Sequence, residues 1–285
     1  MLLFPADPLR PRRPDDHFAA EAAAARAAGV PVALVDHDLL ASGQDPARAV
    51  AAVPTCGVAV YRGWMLRADR YADLAVALAA RDVRLKTTPE QYRRAHELPG
   101  WYESLRSVTP DSAWTTGADR PAFDTARQAL GGGPAVLRDW SKSAKHHWHE
   151  AAFIPDLADG DAAWRVATRL RELREDDFTG GFVLRRFERF TGAEVRTWWV
   201  DGRCALVGPH PDTPGATPTG EVDLGFLIPL VAPLDLRFVT VDLVRHADGR
   251  WRVVELGDGQ VSDRPATVDP AALVTALSRA HLEPA

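Results

Sequence analysis

The sequence predicts an α/β layer followed by an α+β remainder. Three observations carry that reading. In the first third, short apolar runs alternate with alanine-rich helical stretches, the order that closes into a small parallel sheet with crossover helices. Beyond about residue 179 the pattern changes to strands joined by Asp-Gly turns, which mark antiparallel hairpins. The chain has 285 residues, 46% hydrophobic and 26% charged, enough for a packed core in one large or two modest domains.

The elements follow in order. Phe18 to Ala28 reads as a helix ended by Gly29 and Pro31, and Val30 to Val35 as a buried strand stopping at Asp36. Thr55 to Tyr61 is a second strand, Arg67 to Arg81 a helix, and Val83 to Lys86 a third strand. Pro89 to His96 and Trp101 to Val108 read as helices leading to a boundary near Thr109-Pro110-Asp111. Ala135 to Asp139 is a strand entered from Gly131-Gly132-Gly133-Pro134, and Asp161 to Asp176 a long charged helix. Phe182 to Phe187, Glu194 to Val200 and Arg203 to Val207 read as antiparallel strands, the last two joined by Asp201-Gly202. Residues 208–220, with Pro209, Pro211, Pro214 and Pro218, form a loop. Leu236 to Arg245 and Trp251 to Leu256 flank the turn Asp248-Gly249, and Pro270 to His281 closes the chain as a helix.

The net charge of −5 gives no basic field that would make nucleic acid or an anionic membrane the expected partner. Cys56 and Cys204 lie far apart and form no metal-type or redox pair. No apolar run has signal-peptide length, and none approaches the roughly 20 residues of a membrane span. The expectation is a soluble, cytoplasmic protein whose oligomeric state the sequence leaves open. Three of the 34 basic residues are lysines, Lys86, Lys142 and Lys145, and a lysine in so arginine-rich a chain is a place to look for chemistry.

Common nucleotide and hydrolase fingerprints are missing: there is no P-loop, no G-x-G-x-x-G after a strand, no G-x-S-x-G and no H-E-x-x-H. Three other constellations carry chemistry. The strand Ala135 to Asp139 delivers Arg138 at its end, and a serine-rich turn then presents Lys142 and Lys145. That arrangement suits oxyanions such as phosphate, with a solvated cationic loop as the competing reading. His146, His147 and His149 follow without cysteine or carboxylate at ligand spacing and read as a surface loop over a ligand. Asp242 and Glu255 lie six residues before and six after Asp248-Gly249, so they face each other on one side of a hairpin. Either a hard divalent cation held with phosphate oxygens offsets their repulsion, or arginines such as Arg196 or Arg245 do. Glu194 and Arg196 share a strand face and act on one ligand or form an ion pair. Arg62, after Val58-Ala59-Val60-Tyr61, either binds a substrate carboxylate or sits in a buried ion pair.

Together these pieces resemble the ATP-grasp superfamily: a strand-end cation with a phosphate loop, then a Glu-x-Arg strand, then an Asp followed thirteen positions later by Glu. The whole chain is similar to a small arginine-and-lysine-marked clade of actinobacterial and phage-associated ATP-grasp proteins. Tyr61-Arg62-Gly63-Trp64-Met65-Leu66, His96-Glu97-Leu98-Pro99-Gly100-Trp101-Tyr102 and Glu255-Leu256-Gly257-Asp258-Gly259-Gln260 carry that similarity. The resemblance implies a Rossmann-like pre-grasp layer over residues 1–110, a small lobe with the phosphate loop over 111–178 and a large lobe with the metal site over 179–285, the two α+β lobes clasping ATP. It implies an ADP-forming carboxylate–amine ligase working through an acyl phosphate, with a small-molecule or peptide carboxylate and an amine as substrates. A phosphotransferase and a non-catalytic nucleotide-binding module are the alternatives. By the resemblance, Arg138, Lys145 and Lys142 hold phosphates; Arg186, Phe187 and Glu188 form the adenine hinge; Glu194 meets the ribose; Arg196 serves the γ-phosphate. Asp242, Glu255 and Asp258 bind magnesium, and Arg62 and His96 are substrate contacts. Two positions depart from the common pattern: Glu255-Leu256-Gly257 stands where Glu-x-Asn is frequent, and Arg138 where a lysine is.

Overall fold

The computed structural model describes residues 1–55, 57–216 and 222–279. Cys56, Pro218 in the expected loop and the end of the closing helix at His281 lie outside the described residues. The chain forms two compact units: unit 1 comprises Met1–Ala95, Ala193–Leu243 and Glu255–Ala285, and unit 2 comprises His96–Gly192 and Val244–Val254.

Unit 1 is built on a parallel sheet. Strands β1 (Leu2–Asp7), β2 (Arg10–Pro14), β3 (Val32–Val35), β4 (Gly57–Tyr61) and β5 (Val83–Leu85) run β3-β1-β4-β5, with β2 antiparallel to the end of β1. Both faces of β1 are covered, as parallel strands require. Leu3 enters the core under the helix Ala68–Ala79 with Tyr61, Leu74 and Leu78, while Leu2 and Phe4 enter a second core with Phe18, Ala22, Leu273 and Leu277. The helices Ala19–Ala27 and Pro270–Arg279 supply that second core. Sequence reasoning finds β3, β4 and β5 to within a few residues and misses the central strand β1.

Unit 2 holds an antiparallel sheet of β6 (Ser112–Trp114), β7 (Ala135–Asp139), β8 (Phe153–Ile154) and β9 (Phe182–Arg186), in the order β6-β9-β7-β8. The helices Arg120–Leu130 and Gly160–Arg174 cover one face, where Phe123, Leu137, Leu170 and Leu184 form the core. Asp119 and Asp159 cap these helices by accepting the backbone N–H groups of Ala122 and Ala162.

The last sheet orders β10 (Phe190–Val200), β11 (Arg203–Pro209), β12 (Phe238–His246) and β13 (Trp251–Asp258) as β11-β10-β12-β13. Asp201 and Gly202 turn β10 into β11 with φ of 46° and 74°, the left-handed pair a two-residue hairpin demands. Trp198 and Phe238 from this sheet join the core of Leu2 and Phe4.

Candidate functional site

In unit 1 the pleat of β10 puts Glu194 and Arg196 on one side of the strand. Arg196 grips Asp242 of β12 with both arms of its fork, Nε to Oδ1 at 2.8 Å and Nη2 to Oδ2 at 2.8 Å, and its Nη1 donates to the Asp263 carbonyl at 3.2 Å. The register Val195↔Pro209 carries the ladder to the next residue, where the His210 N–H donates to the Glu194 carbonyl at 3.1 Å. His210 Nε2 then lies 3.1 Å from Arg196 Nη2 and 3.6 Å from Asp242 Oδ2. Of the two counter-ions left open by sequence, Arg196 neutralises Asp242. Arg245 instead stacks on Trp251 at 4.6 Å and donates to the Gly249 carbonyl.

Charge is crowded here. Burial raises the Glu194 carboxyl, and the Asp242 and Glu255 charges add to it, reaching about 7. Burial pushes Asp242 the same way, but the Arg196 fork and His210 outweigh it and hold Asp242 below the ordinary carboxylate value. Burial opposes protonation of His210, and the neighbouring Asp242 and Glu194 overcome that opposition. Donor atoms of Glu194, His210 and Asp242 lie within 4.8 Å of one another. Two carboxylates with a third close enough to be felt fit a hard divalent cation such as magnesium.

Asp258 belongs to a different group. Its Oδ1 accepts the Gln260 N–H at 2.8 Å and Gln260 Nε2 at 3.1 Å, while Oδ2 is buried without a partner. Gln260 Oε1 in turn accepts from the Tyr61 N–H and the Tyr71 hydroxyl, each at 3.2 Å. Asp258 thus pins the turn after Glu255 to strand β4. Burial raises its carboxyl to about 7. A carboxyl raised on folding stabilises fully below its unfolded value and loses that stabilisation as pH climbs through the folded value. Between about pH 4 and 7 the wild type should therefore lose thermal stability that Asp258→Asn, with its Oδ1 acceptor retained, does not lose. Parallel melting curves across that range in both proteins would refute the assignment.

Arg62 is 1% exposed. Its Nε and Nη2 hold Glu21 at 2.7 and 2.9 Å, its Nη1 donates to the Gln260 carbonyl at 3.1 Å, and its guanidinium lies between the rings of Phe18 and Trp198, 5.6 Å from each. Arg264 meets the same Glu21 at 3.2 Å. This is the buried ion pair of the two readings given above. Lys86 is likewise structural, 2.7 Å from Asp201. His96 ends the helix Pro89–His96 and is half-buried.

In unit 2, β7 delivers Arg138 as expected, but its guanidinium turns back onto the carbonyls of Asp139 and Ser141. The loop is organised by Asp139, which sequence reasoning misses. Its Oδ1 accepts the N–H groups of Ser141 and Lys142 at 2.7 and 2.6 Å and the Ser141 hydroxyl at 3.0 Å, and its Oδ2 accepts Arg174 Nε at 2.8 Å. Lys142 and Lys145 are exposed beyond this anchor. The signal is present in the sequence: an Asp two and three residues before the N–H groups it ties is an ordinary Asx turn. At the end of β9, the Arg186 guanidinium donates to the carbonyls of Leu130 and Gly132, and Glu188 holds Arg252 at 2.7 and 2.8 Å.

A strand-end arginine with a cationic loop, a Glu-x-Arg strand and an Asp facing it across the sheet define an ATP-grasp protein. The chain belongs to family 3 of the arginine-and-lysine-marked clade of ATP-grasp domains, whose model matches residues 129–277. Solved structures share the fold. A RimK domain ATP-grasp protein from Sphaerobacter thermophilus DSM 20745 is 19% identical, with TM-score 0.65, covering 99% of this chain and 100% of that one. The D-cycloserine synthetase DcsG is 18% identical, with TM-score 0.60 and coverage of 98% and 99%. The ATP-grasp ligase PsnB, solved with a minimal precursor, Mg and ADP, is 15% identical, with TM-score 0.59 and coverage of 99% and 98%. No curated protein matches the chain in sequence. Among the described residues, no helix is long and apolar enough to cross a membrane.

Proposed function

We propose that the protein is an ATP-dependent, ADP-forming ligase that joins a carboxylate to an amine. Membership of the ATP-grasp family supports this, and one observation carries it: the buried Arg196 fork on Asp242, bordered by Glu194 and His210. A preformed cation among carboxylates is suited to charge that develops on transferring phosphoryl oxygens. Proteins of the same fold include a synthetase and a ligase held with Mg and ADP, which favours ligation over simple phosphotransfer.

In the proposed reaction a carboxylate oxygen attacks the γ-phosphorus and the bond to ADP breaks. The amine then attacks the acyl carbon, phosphate departs and the amine gives up a proton. Arg138, Lys142 and Lys145 bind phosphate oxygens, Glu194 the ribose, and Arg196 the γ-phosphate and the acyl-phosphate oxygen. Asp242 and Glu255 would hold magnesium, with Asp258 fixing the turn behind Glu255. When bound, magnesium offsets the repulsion between two anionic reactants. His96 is the candidate contact to the carboxylate substrate.

The deciding experiment is ADP release across a panel of amino acids and peptides, with phosphate NMR of the products. Carboxylate-dependent ADP and free phosphate are expected. A stable phosphorylated product would make the protein a phosphotransferase, and no ADP formation across a broad panel would sink the enzymatic reading. Lys145→Ala should raise the KM for ATP about tenfold, the worth of a charge-assisted contact. Lys145 is exposed, so the apo melting temperature should stay unchanged; a large apo loss would give Lys145 a structural role instead.

A further inference from the structure

The sheet of unit 2 has two unlike faces. Ala135, Leu137, Ile154, Phe182 and Leu184 enter the helix-covered core. The pleat turns their neighbours Val136, Arg138, Phe153 and Val183 the other way, and the register sets Val136 opposite Phe153 and Arg138 opposite Val183. On this second face the ring of Trp148 stacks on Phe153, with centroids 5.5 Å apart and planes 17° apart, and both meet Phe187 at 6.5 and 5.4 Å. Phe187 is 37% exposed, and Trp148 and Phe153 are half-buried. Trp148 opens the π-helical turn Trp148–Ala152, directly after the Lys142 to Lys145 loop, and such turns recur at functional sites. A half-open aromatic platform beside a cationic loop matches a flat heteroaromatic base that carries phosphates.

The groups that would read the edge of such a base are already engaged. The N–H of Arg186 donates to the Asp111 carbonyl at 2.8 Å and the N–H of Phe187 to the Pro134 carbonyl at 3.0 Å. The Arg186 guanidinium is held by two backbone carbonyls and the Glu188 carboxylate by Arg252. Hinge carbonyls remain, and a carbonyl accepts equally from the adenine amino group or the guanine N1–H. Stacking tolerates any base, because every base has a π-face.

We infer that Trp148, Phe153 and Phe187 hold a purine by stacking rather than by reading its edge, so that the protein binds GTP nearly as well as ATP. This rests on the nucleotide-binding reading proposed above. Trp148 is the part of the platform contributed by the phosphate loop's own continuation, and it couples base binding to the position of that loop.

Calorimetric titration of the full chain with Mg·ATP and with Mg·GTP tests the inference. Dissociation constants within about tenfold of each other are expected. Trp148→Ala should weaken both nucleotides by about tenfold, in line with base stacking on one aromatic ring, and Trp148→Phe should recover most of that loss. The apo melting temperature and circular dichroism of each variant report on its fold. An ATP preference above about a hundredfold, or unchanged affinities in Trp148→Ala, would overturn the inference while leaving ATP binding in place. Failure of the wild type to bind either nucleotide would overturn the inference and the parent reading together.

Discussion

Arg62→Ala should cost unit 1 about 3–5 kcal/mol of stability, the usual consequence of stripping one partner from a buried ion pair. Glu21 would keep only Arg264, and the Gln260 carbonyl would lose a charged donor. The space between Phe18 and Trp198 would also be vacated, removing cation–π contacts on both sides. Urea unfolding should shift accordingly, and the thermal midpoint should fall on the order of 10 °C. A variant of wild-type stability with an impaired KM for the carboxylate substrate would reverse this assignment and return Arg62 to substrate binding. Glu21→Gln offers an independent check, since it keeps the volume and removes the charge; it should destabilise less than Arg62→Ala but in the same direction.

Arg196→Ala should lower kcat for ADP release by about 10²- to 10³-fold, the range found when one preorganised donor to a developing oxyanion is lost. The loss comes from chemistry more than from binding, because Arg196 is assigned to oxygens whose charge grows during transfer. Arg196→Lys should recover little: one ammonium cannot make the two parallel bonds that the guanidinium makes to Asp242. Steady-state kinetics at saturating ATP and magnesium decide the matter. A fall of less than tenfold in kcat, or a rise confined to KM, would remove Arg196 from the reacting centre.

The sequence makes some of this arrangement legible and hides the rest for physical reasons. β7 is read to the residue because Gly131-Gly132-Gly133-Pro134 punctuates its start and Asp139 its end. β1 escapes such a reading although it lies between β3 and β4: Pro5 and the arginines that follow obscure an apolar run of only three or four residues, and a central parallel strand has no alternation to betray it. The pairing of Glu194 with Arg196 is readable from the period of two. By the same parity, Asp258, three residues after Glu255, points away from Glu255's side of a strand. His210 gives no local signal at all; only the β10–β11 register delivers it to Glu194. Arg62 is ambiguous in sequence because its partner Glu21 sits 41 residues earlier on a helix, and nothing in linear spacing announces such a pair.

The three-segment construction of unit 1 bears on how the chain reaches its native state. Leu2 and Phe4 share a core with Leu273 and Leu277, so the first strand synthesised waits for one of the last helices before its apolar face is closed. Loop closure of that length is entropically slow to begin and rewards the chain only late. Unit 2 draws nearly all its residues from one continuous stretch, His96–Gly192, and needs no such wait. On a ribosome the order of folding is therefore the reverse of the order of the sequence: the middle of the protein settles first, and its beginning stays open until its end arrives.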